Sequence, residues 1–252
     1  MIMKKLICLL LVAVLLFVPA TAFALTDSDS VAERMAGDPL DVQLQKILNS
    51  PYTTPYQKEL ALEKYNFLTS YAESSFSDDA RTDYYCFIPV VQYTQGAGNW
   101  CGPATIYQTL KYINGSSPSQ QQIANSVIVG GLTSIPNLIS YLNNNQSRNS
   151  YMSTTFSPNQ TNFFNGLIKT TIVNCNAPVI AIFRPTRIPN LVNPGSGMHY
   201  ANIRGQSGDG GTIYMVDPYY HTIGGSNYYT VTRDALMSAI LDCDAGCREL
   251  IY

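Results

Sequence analysis

The chain has 252 residues, a formal net charge of −2 and only 13% charged residues, against 46% hydrophobic ones. No basic stripe with interleaved aromatics runs through it, which excludes the usual footprint of nucleic-acid binding, and no Cys-x-x-Cys or His-x-x-x-His spacing offers a zinc site. The length allows one domain with a short extra segment.

Lys4-Lys5, an apolar core over 6–18 and the small-x-small run Ala22-Phe23-Ala24 read as a secretory signal over 1–24. An apolar core of that length is too short to span a bilayer, so the mature protein is expected to be extracellular, with no stable membrane insertion. Residues 25–80 hold ten acids against four bases, and residues 81–252 seven against nine, a split of −6 against +2. Asp38-Pro39 starts a first helix in which Leu40, Leu44, Ile47 and Leu48 make one apolar stripe, and Asn49-Ser50-Pro51 ends it. A second helix over about 55–70 carries Leu62, Tyr65, Phe67, Leu68 and Tyr71, and 74–79 reads as a polar linker. Two short amphipathic helices need an apolar partner surface. Residues 25–80 are therefore expected to dock on 81–252, as a removable prosegment or as a permanent extension.

The strand-like run from Cys86 to Val91 leads into a loop with Gln95, and a helix follows over 101–113, with Ala104, Tyr107, Leu110 and Ile113 at helical spacing and Asn114-Gly115 as its close. Cys101 falls in the first turn of this helix, where the positive end of the dipole favours a thiolate. It is the candidate nucleophile. Gln95, six positions earlier, can supply an amide donor to an oxyanion hole, with Gln92 competing from the same loop. Trp100 is a candidate cleft wall beside the thiol. Helices are expected over 119–127, 135–143 and 158–171, then an apolar strand over 178–183 and a proline-rich loop over 184–197.

The chain has two histidines, His199 and His221. His199 opens an alternating stretch that turns at Ser207-Gly208-Asp209-Gly210-Gly211 into a second strand ending at Asp217-Pro218. A hairpin centred near Gly208 puts His199 across from Asp217. Between Asp83 and Asp209 the chain has no acid at all, so few carboxylates could orient an imidazole. Tyr200 is a candidate subsite wall. His221 lies past Pro218 among tyrosines and reads as a packing or surface residue. A strand over 228–231 and a helix begun by Thr232 complete an α+β pattern of helices first and antiparallel strands later. Of the five cysteines beyond the signal, Cys243 with Cys247 and Cys86 with Cys175 are the expected disulfides, leaving Cys101 free.

Taken in order, Ile88-Pro89-Val90-Val91, Gln95, Trp100-Cys101-Gly102-Pro103-Ala104, Ala177-Pro178-Val179-Ile180-Ala181, Met198-His199-Tyr200 and Val216-Asp217-Pro218 resemble the papain-like cysteine peptidases of the family that includes bacteriocin leader peptidases. The nearest look is to its secreted "like" branch, over about 85–242. The resemblance implies a papain-like fold whose helical half carries the cysteine and whose sheet carries the histidine and aspartate. It also implies Cys101 as nucleophile, His199 as base, Asp217 as orienter and Gln95 as oxyanion donor, acting on a peptide or protein substrate without metal or cofactor. The loop over 184–197 departs from the family pattern. The same four groups also suit an acyltransferase or amidase, and a non-catalytic surface binding module could keep the fold.

Overall fold

A computed structural model of the protein describes residues 36–73, 85–192, 194–219, 223–244 and 246–252. The expected signal, the 74–79 linker and His221 lie outside them. The elements run α1 (Leu40–Asn49), α2 (Pro55–Glu73), β1 (Cys86–Phe87), α3 (Cys101–Asn114), α4 (Gln120–Val127), β2 (Ile128–Val129), β3 (Leu132–Thr133), α5 (Ile135–Asn145), β4 (Ser153–Thr154), α6 (Thr161–Asn174), β5 (Val179–Phe183), β6 (His199–Gln206), β7 (Thr212–Val216), β8 (Tyr228–Thr232), α7 (Arg233–Leu241) and β9 (Leu250–Ile251).

Local chemistry sets most of these bounds. Ser119 caps α4 in a capping box with Gln122, and Ser134 caps α5 with a proline in the first turn. Gly115, at φ 74°, closes α3 in the left-handed conformation that favours glycine. The helix expected from Pro158 starts three residues later, because the Gln160 side chain accepts from the Ser157 N–H and holds 157–160 in a turn.

The strand order is β4-β9-β5-β6-β7-β8, with β1 added to β6, all antiparallel. Val179, Ala181 and Phe183 of β5 enter one apolar core with α6 and α7, whereas Ile180 and Ile182 enter the other with α3, α4 and α5. The strand is thus buried on both faces by its period of two. This is the α+β, papain-like arrangement expected, with helices on both sides of an antiparallel sheet.

The β6–β7 register differs from the expected one. Asn202 pairs with Val216 and Ile203 with Met215, and an irregularity between Ile203 and Gly205 shifts the later rungs by one. The turn is centred on Asp209, whose carboxylate accepts from the Ser207 hydroxyl and the Gly211 N–H. On its other edge β6 pairs His199 with Phe183 of β5, and in this register Asp217 sits diagonally from His199, just past the end of β7.

Helix α1 buries the apolar stripe read from sequence, with Leu44 and Ile47 in the core and Leu40 and Leu48 packed against it, whereas α2 turns a more polar face inward than the one expected. Leu62 and Phe67 are exposed, and the inward positions of α2 are Gln57, Leu60, Ala61, Lys64 and Leu68. The polar pair on this face is matched by carbonyls. Gln57 Nε2 donates to the carbonyls of Asn143, Gln146 and Asn149, and Lys64 Nζ donates to Asn149 Oδ1 and the carbonyls of Ser150 and Tyr252. In α1, Gln43 exchanges hydrogen bonds with both backbone groups of Ser153. These contacts tie 36–73 to residues 143–153 and to Tyr252.

Neither expected disulfide is formed: the five cysteines among the described residues are free. Cys86 and Cys175 belong to cores on opposite faces of the sheet. The α7 helix ends at Leu241, so Cys243 and Cys247 are not an i, i+4 helical pair, and the Cys243 thiol instead faces the Ile182 and Ala239 carbonyls.

Candidate active site

Cys101 is the first residue of α3, after Trp100 at the N-cap, and no side chain caps this helix start. The first-turn N–H groups are thus left for a negative sulfur. Gly102 allows the approach of β3: a Cβ at this position would run into the Thr133 side chain. The Tyr200 hydroxyl donates to the Thr133 carbonyl at 3.0 Å, so β3, the helix start and β6 are locked around the thiol.

His199 begins β6 and is only 5% exposed. Its ring lies edge-on to Phe183 at 5.5 Å and to Tyr219 at 6.4 Å between centroids. Nε2 faces Asp217 Oδ1 at 2.8 Å, and the Cys101 side chain interacts with the same ring. Asp217 is fully buried. Its Oδ1 also accepts from the Tyr219 N–H at 2.8 Å, and its Oδ2 accepts from the Tyr229 hydroxyl at 2.9 Å.

The electrostatics follow from these contacts. Burial pushes the Cys101 thiol up, but the hydrogen bond and charge of His199, with the Tyr200 and Gly102 N–H groups, outweigh it and hold the thiol below its usual range. Burial pulls His199 down, yet the Asp217 carboxylate and the Cys101 sulfur carry it up to about 10. Both shifts favour a thiolate beside an imidazolium.

Gln95 is tied to the same centre through its backbone, whose N–H donates to the Pro218 carbonyl at 2.7 Å. Its side-chain Nε2 donates to the carbonyls of Ala97 and Gly98, at 2.7 and 3.0 Å, and its Oε1 is buried without a partner. Gln92 Nε2 reaches Thr94 Oγ1 instead. Trp100 is half-buried, with its ring against Gly96. Tyr200 is 2% exposed and its hydroxyl is committed to the Thr133 carbonyl, which leaves little of it to form a subsite wall. The structure thus brings Cys101, His199 and Asp217 together, sets Gln95 in the adjoining loop and removes Tyr200 from the cleft surface.

Tyr229 escaped the sequence reading. Its strand alternates exposed and buried positions, and Tyr229 is an inward one, paired with Met215. The readable signal was a tyrosine at an inward strand position beside a buried acid. No cluster of three or more His, Cys, Asp or Glu that could hold a metal occurs among the described residues, and none of their helices is long and apolar enough to cross a membrane.

Residues 87–238, more than half of the chain, match the Peptidase_C39 like family. Among solved structures, a C39-like peptidase from Bacillus anthracis is similar at 16% identity and a TM-score of 0.45, over 67% of this chain and 97% of that one. No curated protein matches.

Proposed function

Because the chain belongs to the Peptidase_C39 like family, a family of peptidases, we propose that it is a secreted cysteine peptidase that cleaves peptide bonds with Cys101, His199 and Asp217. The observation that carries this reading is the buried hydrogen bond between His199 and Asp217, with the Cys101 side chain interacting with the same ring. His199 takes the thiol proton, and the thiolate attacks the carbonyl carbon of the peptide bond. The carbonyl oxygen becomes an oxyanion, held by the backbone N–H of Cys101 and by a Gln95 amide hydrogen turned away from Ala97 or Gly98. His199 then protonates the departing amine, and the C–N bond breaks to leave an acyl-enzyme. Water, deprotonated by His199, releases the acid and restores the thiol. Asp217 orients the ring throughout, and the exposed part of Trp100 lines the cleft. Secretion rests on the signal over 1–24. Residues 36–73 are read as a permanent extension of the domain, given the buried contacts of Gln57 and Lys64.

The test is incubation of the secreted form with a peptide library, with and without an added amine, followed by mass spectrometry, with Cys101→Ala as control. Cleavage that Cys101→Ala abolishes is expected. Products extended by the amine would assign acyl transfer instead. An intact library with a selectively alkylated Cys101 would overturn peptide hydrolysis. Gln95→Ala should lower kcat by about 100-fold while leaving alkylation of Cys101 unchanged.

A further inference from the structure

Asn202 lies in β6 three residues after His199, fully buried. Its in-chain neighbours Ala201 and Ile203, and Val216 opposite, are apolar, so this position needs no amide to fill space. Every donor of the side chain is used. Nδ2 donates to the Thr105 carbonyl and to Gln108 Oε1, both at 3.1 Å, and Oδ1 accepts from the Thr109 hydroxyl at 3.0 Å. Thr105, Gln108 and Thr109 stand four, seven and eight positions after Cys101, the spacing of one helix face. Two residues earlier on the same face of β6, the Tyr200 carbonyl accepts from the Thr105 hydroxyl at 3.1 Å. Gln108 in turn donates to the Tyr93 carbonyl at 3.0 Å, in the segment that leads to Gln95. One amide is thereby joined, directly or through Gln108, to the strand of the base, the helix of the nucleophile and the loop of the amide donor.

Apolar packing between a helix and a sheet tolerates small sliding, because dispersion contacts have little direction. Hydrogen bonds to three separate groups are lost with a displacement of an ångström. Cys101 and His199 sit at the ends of the two elements that Asn202 joins, so a slip of α3 along β6 would separate thiol and imidazole. We propose that Asn202 is a positioning residue that sets the register of α3 on β6 and thereby the Cys101–His199 pair. The proposal rests on the pair described under Proposed function.

Iodoacetamide alkylation of Cys101, followed on its own peptide by mass spectrometry from pH 5 to 9, reads the pair without requiring turnover. The proteins compared are the wild type, Asn202→Ala, Asn202→Asp, which keeps the acceptor but loses both donors, and Thr109→Val, with thermal melts for each. Loss of register returns Cys101 toward an ordinary thiol with a pKa near 8.5, so labelling at pH 6 should slow at least about tenfold in Asn202→Ala and Asn202→Asp. A smaller shift in the same direction is expected in Thr109→Val. A folded Asn202→Ala with the wild-type pH profile would overturn the proposal. Should that variant fail to fold, a wild-type profile in Thr109→Val combined with Gln108→Met would overturn it equally. An ordinary thiol profile in the wild type itself would instead refute the thiolate–imidazolium pair, and this proposal with it.

Discussion

Removal of the N-terminal helices should unfold the protein, not activate it. Consider a chain that starts at Arg81. It loses Leu44, Ile47, Leu60 and Leu68, four large apolar side chains that are at most 8% exposed and shared between both cores. At ~1.5–3 kcal/mol for each buried side chain, their loss amounts to about 6–12 kcal/mol. That is most or all of the ~5–15 kcal/mol by which a domain is stable. The acceptors of Gln57 and Lys64 also lose their donors, and Asn149 and Ser150 are buried, which adds to the cost. The assay is a thermal melt by circular dichroism of the 25–252 and 81–252 forms, with Cys101 alkylation as a probe of the site. The expected result is no cooperative melt for the short form and labelling as in denatured protein. A short form that melts cooperatively within about 5 °C of the longer one, which corresponds to a loss of only ~1–2 kcal/mol, would refute the reasoning. If it were also more active, 25–80 would be a prosegment.

Tyr229→Phe removes the hydroxyl that donates to Asp217 Oδ2; a stability loss of about 1–3 kcal/mol and a drop in kcat/KM are expected from melts and steady-state rates, and an unchanged kcat/KM would remove Tyr229 from the site. Gly102→Ala forces a Cβ against Thr133, an overpacking worth ~1–3 kcal/mol, so its melting point should fall and Thr133→Gly should recover it; a Gly102→Ala protein as stable as wild type would contradict the packing. Burial brings Lys64 down to about 8 from 10.5. The unfolded chain thus binds more protons between these values, so the Lys64 contribution to stability rises with pH across that window, by at most ~3 kcal/mol. Denaturant melts of wild type and Lys64→Met from pH 7 to 10.5 should show this rise in wild type relative to the variant, and parallel curves would refute it.

Much of the candidate site is legible in the chain because its parts announce themselves locally. A cysteine at a helix start, an amide six residues before it and an acid at a strand end are short-range patterns. The scarcity of acids between Asp83 and Asp209 narrowed the choice of orienter further. What stayed hidden depends on pairing across the fold. The irregularity after Ile203 and the Asp209-centred turn moved the β6–β7 register by two residues, which no alternation pattern reveals. Tyr200 has the amphipathic character of a cleft wall, but the carbonyl of Thr133, 67 positions away, claims its hydroxyl. On α2 the buried face includes Gln57 and Lys64, which a count of apolar residues assigns to solvent. Only the carbonyls contributed by 143–150 and by Tyr252 make that face an inward one.

Pro218 ends the β7 run and, having no N–H, breaks the ladder there, yet its carbonyl takes the backbone N–H of Gln95. The residue that stops the strand of the orienter is also the mooring of the loop that bears the amide. A substitution at this one position would reach the segments of Gln95 and Asp217 at once. The Gln95 loop therefore cannot drift independently of the Asp217 turn.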